Sequence, residues 1–575
     1  MTLENNFKTE DMLKLGFYVS LLALIWNLPT LGNNLMPRNF MGWFGVVFIA
    51  TLILSFVLLQ KKLKLKSHLL LLFLPPLAIL LHGLIFSPTE TMSYYLWLAF
   101  GATFAFGALM MALIQIEDSS FVWLKIANTL LFVFTLQVFI TEILPEFSFG
   151  RFLVFQIPIE MRADKGGFQQ PNLMASFAGA VILWSWSLRV NYGVSTKRSW
   201  AYLSIFAFIL SFVIFQTGSR TGILGIVSGL TILTIFSFKK KRLGYSLFVV
   251  CAILLAFIAE NIGGIGASLK SNSIDAVASI GSSDFSTTIR ITFWHVSFLS
   301  GLENWIFGHG LGNFSESYYK TFAANKFEHP NWGFLPNLVH PHNEIFMQWV
   351  EMGLYGLVLV VAPYAYFLMR YFLSLSTSPW LALAALIPIG IHTQTEMVLH
   401  ASGAHWLLMG LILASFFKSD NANTYPVKKV AIILPVFFGV LGLFVCLDTS
   451  QVGKQAWENK IYSEKTRNTE EFLKRVSRGR ELSHWILSTE TNDRVLKSMV
   501  AYALLKNNRK AIRTFLPRLI DIGNRMQTPI VWDFIAESYL ALGDLDSYKK
   551  YIQYIKAFDP KYVEKLEKKF NVTEN

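Results

Sequence analysis

The sequence is poor in charge. Of its 575 residues only 15% are Asp, Glu, Lys or Arg, against roughly 25% in soluble domains. A soluble enzyme of this length needs more charged surface, so that class is excluded. Cysteine is almost absent: Cys251 and Cys446 both lie in apolar runs, which excludes a disulfide-stapled secreted scaffold and leaves the redox compartment unread. A cleavable signal peptide is not expected, because the first apolar run has an acidic, polar approach and no small-residue cleavage site. What the chain has instead is 53% hydrophobic residues, 50 Phe and a mean hydropathy of +0.44. Disorder and a coiled coil are excluded by the same composition. The expected fold is an all-α polytopic membrane protein.

Roughly 20 helical residues cross a hydrocarbon core of about 30 Å. Apolar stretches long enough to do so fall near 13–31, 41–60, 67–86, 92–115, 121–144, 172–190, 199–217, 221–238, 243–263, 345–369, 380–399, 402–417 and 429–448. About 13 transmembrane helices are therefore expected, with the pairs meeting at 217–222 and 399–402 open to a re-entrant alternative. The net charge of +13 would point a soluble protein toward nucleic acid. In a membrane protein it is read first as orientation, because cytoplasmic loops collect Lys and Arg, and no nucleic-acid partner is expected. Lys61, Lys62, Lys64 and Lys66, then Arg189, Lys197 and Arg198, then Lys239 to Arg242, then Arg370, then Lys418, Lys428 and Lys429 all fall on one side if the N-terminus is cytoplasmic. The segment 145–171, the long loop 264–344 and everything after about 449 then face outward.

Two domains follow: a transmembrane unit, 1–448, with its large loop 264–344, and a helical outer domain, 449–575. From Gln451 onward 23 basic residues face 16 acidic ones, a composition unlike the rest. Within it Trp532, Ala536, Tyr539 and Pro560 fall at tetratricopeptide offsets, with an unrelated helical hairpin bundle as the alternative. The loop begins Gly/Ser-rich and turns aromatic and motif-dense between Arg290 and Asn343, where mere connection needs neither.

Chemistry concentrates at the outer boundary. His340-Pro341-His342-Asn343-Glu344 precedes a span carrying Trp349, Glu351, Gly353 and Gly356. Ionisable groups there are costly without a polar task or mutual pairing, and an imidazole near pKa 6.5 can accept a hydroxyl proton. The plainer reading is a hydrated loop with Asn343 as helix cap; zinc is a third, weakened because His-x-His has no obvious further ligand nearby. Thr217-Gly218-Ser219-Arg220-Thr221-Gly222 sits between two apolar runs, and Arg290 lies in a second apolar stretch. Arginine's planar donor fork suits phosphate oxygens, though a snorkelling or surface arginine would look alike. Gly166-Gly167-Phe168-Gln169-Gln170-Pro171-Asn172 opens the sixth span: Pro171 biases Gln170 toward extended backbone, Asn172 is placed to cap, and the paired glutamines suit a sugar or an acceptor. Gly308-His309-Gly310-Leu311-Gly312-Asn313-Phe314 follows no strand and is expected to open no helix, so a nucleotide loop is not read there. His392 and Glu396, four apart, are expected on one face of the eleventh span, as a functional or a structural pair.

The order of long outer loop, His-Asn-Glu and Trp-x-Glu-x-Gly-x-x-Gly resembles the O-antigen ligase and polymerase (Wzy_C) superfamily of bacterial inner membranes. Ser219-Arg220-Thr221-Gly222 and Arg290 look like its arginine motifs. Gln170-Pro171-Asn172 and the outer helical tail are similar to its PglL-type branch, the O-linked protein oligosaccharyltransferases. The resemblance implies a GT-C-like, metal-independent, inverting glycosyltransferase with no cofactor. Its donor would be an oligosaccharide on undecaprenyl diphosphate and its acceptor a pilin-like or other exported protein, in contact with membrane lipid. It further implies that His342, or else His340, is the base with Asn343 orienting it. Arg220 and Arg290 would hold the diphosphate, while Gln169, Gln170, Asn172 and Glu396 would position acceptor or sugar. An O-antigen ligase acting on lipid A core is the alternative, followed by a glycan polymerase; a secondary transporter is disfavoured by the lack of internal repeats. One departure stands out: the chain reads Glu396-Met397-Val398 where such transferases often carry Glu-Tyr-Pro.

Overall fold

Hydrocarbon offers a backbone amide no water, so an apolar run is stable there only when its hydrogen bonds close within itself as a helix. The computed structural model describes residues 40–59, 62–65, 67–86, 89–116, 120–139, 170–262, 285–329, 331–335, 338, 340–374, 379–416, 423–426, 436, 439–440, 488–526 and 529–556, and helix dominates them. The first helices are α1 (Phe40–Leu59), α2 (Leu74–Phe86, entered through a 3-10 stretch, Ser67–Phe73), α3 (Thr89–Leu113) and α4 (Ser120–Val138). Then come α5 (Pro171–Asn191), α6 (Lys197–Gln216), α7 (Arg220–Lys239) and α8 (Leu243–Ile262). The loop contributes α9 (Phe285–Glu303) and α10 (Phe314–Asn325). Beyond it, α11 (Glu344–Gly356) continues through a π-type turn into α12 (Ala362–Ser374), followed by α13 (Pro379–Thr393), α14 (Val398–Ala401) and α15 (Gly403–Ser415). The tail holds α16 (Ser488–Leu505), α17 (Arg509–Met526), α18 (Pro529–Leu542) and α19 (Leu545–Lys556).

Among the described residues six helices are long and apolar enough to cross a membrane: Leu69–Phe86, Pro171–Asn191, Lys197–Gln216, Arg220–Lys239, Leu243–Asn261 and Glu344–Met369. Shorter apolar helices at Gly45–Ser55, Ala99–Leu113, Val122–Val138, Pro379–Thr393 and Gly403–Ser415 match further expected spans. The chain is thus a multi-pass membrane protein. The expected spans 13–31 and, almost wholly, 429–448 lie outside the described residues. Among those described, the one strand pairing is antiparallel, β1 (Lys62–Leu65) with β2 (Asn423–Pro426). It brings together two segments that charge counting assigned to the same side.

The bundle is organised around α5, whose residues Leu173 to Val190 are all buried. Its small residues admit close neighbours. A Cβ added at Gly222 of α7 would stand 2.4 Å from the Ala175 Cβ, one at Gly225 2.8 Å from the Pro388 Cα, and one at Gly229 2.7 Å from the Ala384 carbonyl oxygen. Helix α7 therefore meets α13 backbone to backbone and lies against the Ala175 methyl of α5. Arg189, counted above among the loop cations, is fully buried instead. Its guanidinium donates to the carbonyls of Ser185 and Ser199, to Ser199 Oγ and to Asn128 Oδ1, which ties α4, α5 and α6 together with no acidic partner among the described residues.

The Trp-x-Glu-x-Gly-x-x-Gly run shapes α11. Gly353 has φ 58° and ψ −149°, a conformation essentially restricted to glycine, and it breaks the helix. The segment after α9 fills the break: His309 N and Gly310 N donate to the carbonyls of Val350 and Glu351, while Leu354 N and Tyr355 N donate to those of Trp305 and Ile306, at 2.7–2.9 Å. Glu351 Oε1 accepts from Gly312 N at 2.9 Å, and Trp349 Nε1 donates to the Phe298 carbonyl. The glycine-rich 308–314 run does open a helix, α10, contrary to expectation; Asn313 stands before Phe314 without a side-chain capping bond, its Nδ2 donating to the His309 carbonyl instead. Its glycines serve backbone contact with α11.

In the tail, Ala536 and Tyr539 of α18 pack against Tyr548 and Ile552 of α19 in a helical hairpin. Trp532 also packs on the loop core of Phe293, Phe314 and Phe322. Pro560 lies outside the described residues.

Gly308 has φ 68°, and a Cβ there would stand 2.4 Å from the Glu351 carbonyl carbon. Gly308→Ala is expected to cost at least about 1–2 kcal/mol, read as a lower unfolding temperature in detergent. Gly244→Ala, with nothing within 4 Å of its added Cβ, should leave that temperature nearly unchanged.

Candidate active site

The start of α11 is fixed by its cap. Asn343 is extended, and its Oδ1 accepts from Ile345 N and Phe346 N at 2.9 and 3.0 Å, as the sequence led us to expect. Its Nδ2 donates to the Gln394 carbonyl at 3.1 Å, so the cap also grips the turn after α13. Glu344 strengthens this seam, with Oε1 accepting from Leu399 N and His400 N and Oε2 standing 3.5 Å from His400 Nδ1.

The seam presents His342 to Glu396. His342 has φ 53°, a left-handed conformation costing about 1–3 kcal/mol for a non-glycine residue unless its surroundings hold it. They do: the imidazole stacks on Phe293 of α9 at 5.6 Å between centroids, and its Nδ1 lies 2.7 Å from Glu396 Oε1. The His340 ring stands 4.4 Å from it, edge to face. Glu396 does not share a helical face with His392. Helix α13 ends at Thr393, and Glu396 sits in the following turn with its N–H on the His392 carbonyl. That turn frees its carboxylate to meet His342.

The electrostatics follow. Burial pushes the Glu396 carboxyl up, but the contact with His342 and the fields of His342, His340 and His392 outweigh it and hold the group at about 2. Burial, helped by His342, pushes His340 down to about 3 against the pull of Glu396. Burial lowers His400 too, yet its contact with Glu344 and the fields of Glu344 and Glu351 carry it above its usual value. The site therefore holds an ionised carboxylate against His342 Nδ1 and a neutral His340. A carboxylate on Nδ1 favours the tautomer with its proton there and leaves Nε2 as acceptor, the arrangement of a base oriented by an acid.

The other expected residues fall around this centre to different degrees. Arg290 lies one turn before Phe293 on α9, on the same face, and within electrostatic reach of His392. Arg220 is the first residue of α7, after a turn through Gly218 (φ 61°) and a cap in which Ser219 Oγ accepts from Gly222 N. The Gly222–Ala175 contact puts it at the end of the bundle where α5 begins. Gln170 there is extended, at φ −123° and ψ 129°, as Pro171 requires. Its Oε1 is buried with no hydrogen-bond partner among the described residues. Asn172 does not cap: the helix already begins at Pro171, which places Asn172 inside the first turn. Gln169 lies outside the described residues.

Several contributors were not singled out from sequence. Ser176 Oγ lies 2.7 Å from His392 Nδ1 and 3.0 Å from His405 Nε2, and His405 Nδ1 lies 2.6 Å from Ser402 Oγ. This fully buried chain backs the turn that carries Glu396. A histidine inside an apolar run, as at 405, was the available signal. His340, His342 and Glu396 also offer three donor atoms within 4.8 Å of one another, so the third ligand that sequence could not find for a metal is present. Asp544-Leu545-Asp546 in the tail has the spacing of a metal-binding pair, but Asp544 Oδ1 accepts from Ser547 N at 3.0 Å and caps α19.

The shifts set a pH dependence. A His340 held below its unfolded value leaves stability intact above pH 6.5 and removes it as pH falls toward 3. The depressed Glu396 likewise contributes above about 4.5 and is lost toward pH 2. Unfolding followed by denaturant should show the wild type losing about 2 kcal/mol between pH 6.5 and 5 from His340. His340→Gln should lose correspondingly less stability over that interval, while the loss from Glu396 below pH 4.5 remains.

No curated protein matches the chain. A family model does, from within α6 to the end of the turn after α11, leaving Gln170, His392 and Glu396 outside its limits. It supports a glycan-transferring ligase or oligosaccharyltransferase activity. The match is to the O-antigen ligase family (Wzy_C) and spans residues 205–361, which carry Arg220, Arg290, His340, His342 and Glu351.

Proposed function

We propose that this protein transfers a preassembled oligosaccharide en bloc from undecaprenyl diphosphate to Ser or Thr hydroxyls of exported, pilin-like proteins. The carrying observation is the Glu396 carboxylate 2.7 Å from His342 Nδ1. On this reading His342 Nε2 takes the acceptor hydroxyl proton as the oxygen bonds the anomeric carbon from the face opposite the leaving group. The bond from that carbon to the phosphate oxygen breaks with inversion, and the diphosphate keeps the electron pair. Arg220 and Arg290 meet its charge, Gln170 and Asn172 position sugar or acceptor, and Glu396 stabilises the imidazolium. His340 is the second choice for the base. The enzyme would sit in the bacterial inner membrane with its N-terminus cytoplasmic and about 13 spans. The loop and the tetratricopeptide-like tail would be periplasmic, the tail offering protein acceptors a surface.

Transfer to lipid A core is the second reading, favoured by the family's own description as O-antigen ligase. Mass spectrometry of exported proteins and of lipopolysaccharide, with and without this protein, separates the two. Loss of protein glycans is expected, whereas loss of O-antigen with protein glycans unchanged would move the assignment.

His342→Ala and Glu396→Gln are each expected to reduce transfer about 10²–10⁴-fold. Arg290→Lys, which keeps the charge and loses the donor fork, should retain more activity than Arg290→Ala. Full activity in His342→Ala would sink the assignment. Treatment with EDTA should leave the rate unchanged; a rate abolished by EDTA and restored by one divalent cation would replace the base reading with a metal held by His340, His342 and Glu396.

A further inference from the structure

Loop 264–344 was expected to lie outside the membrane, yet part of it is built for hydrocarbon. The second half of α9 runs alongside α11 in the same direction. The Phe298 carbonyl receives Trp349 Nε1, and the Trp305 and Ile306 carbonyls receive Leu354 N and Tyr355 N. These partners stand five to eleven residues into the apolar helix Glu344–Met369, a depth of about 7–16 Å at 1.5 Å per residue. The tip also reaches a second span: His82 Nε2 lies 2.7 Å from the Phe307 carbonyl, and the Phe307 ring stacks on Phe86 at 4.4 Å.

The face that α9 and its tip turn away from the protein is largely apolar, with His295 exposed among the apolar side chains. Ile291, Phe298, Leu302, Trp305 and Ile306 are 44–58% exposed, and 291, 298 and 302 recur at the spacing of one helical face. Three polar side chains on the element, His295, Glu303 and Asn304, are exposed too, but each holds a protein partner. Glu303 accepts from Thr321 Oγ1, Asn304 Nδ2 meets His309, and His295 packs on His329 and Trp332. The backbone gives an independent sign. Non-helical chain is tolerated at membrane depth only when protein satisfies its polar groups. Between Trp305 and Gly312 the carbonyls of 305, 306 and 307 and the amides of 308, 309, 310 and 312 all have protein partners. An aqueous loop has no need of such completeness.

We propose that α9 and residues 304–310 form a re-entrant element that dips into the leaflet on the side of the long loop, its Ile291–Phe298–Leu302–Trp305–Ile306 face covered by lipid acyl chains. The claim does not depend on the transfer reaction.

Single cysteines at Phe298, Leu302, Ile306, Val358 and Lys320, in a chain with Cys251 and Cys446 replaced by Ser, would carry nitroxide labels in proteoliposomes. Collision rates with oxygen and with a water-soluble nickel chelate report depth. Val358, exposed on a span, and Lys320, exposed on α10, are the lipid and water references. Labels at 298, 302 and 306 are expected to follow Val358, with chelate collisions several-fold below those at Lys320. If all three follow Lys320 while Val358 reads lipid, the element lies in water and the proposal fails. A position that does not assemble is dropped, since any one of the three decides.

Discussion

A carboxylate removed from water must be met by hydrogen bonds or by positive charge, and the site is arranged around meeting that of Glu396. The partner, His342, comes from the far end of the long loop, so the beginning of α11 and the turn after α13 have to be held in register. Asn343 on the Gln394 carbonyl and Glu344 on the Leu399 and His400 amides do this. The strained His342 backbone is affordable only inside that seam. Removing any one stitch would leave an unpaired buried group, which costs more than the bond itself contributes.

The Trp-x-Glu-x-Gly-x-x-Gly run acts at one remove from chemistry. Glu351 spends its Oε1 on Gly312, Gly353 breaks the helix, and Trp349 holds α9. Together they dock the segment that leads into α10, and α9 then lays Phe293 against His342. A motif that in sequence looks like part of a catalytic signature is here the device that seats the long loop.

What could be read in advance was what depends on local rules. Apolar length gave the helices, Pro171 gave the extended Gln170, and Asn343 before an apolar run gave a cap. Where expectation failed, a non-local contact decided in every case but Asn172. Nothing near Glu396 announces that α13 stops at Thr393, and the imidazole that its carboxylate meets lies in another segment, outside any window around it. Asn172 looked like a cap until Pro171, already fit for the first helical position, took the place before it. Arg189 looked like a loop cation because its neutral acceptors are scattered over three helices. Ser176 and Ser402 carried no signal at all, since a serine in an apolar helix is ordinary until histidines converge on it.

The contact between Gly222 and Ala175 has a mechanical meaning. It makes the head of α7 and the head of α5 one rigid piece, so Arg220 and Gln170 share a frame. Arg290 belongs to another piece, the loop element clamped to α11. On the proposed reading a bound diphosphate would span the joint between them as a strut. The span between the two guanidinium groups would then act as a gauge, set by how the loop is seated and read out by whether both arginines can grip one ligand.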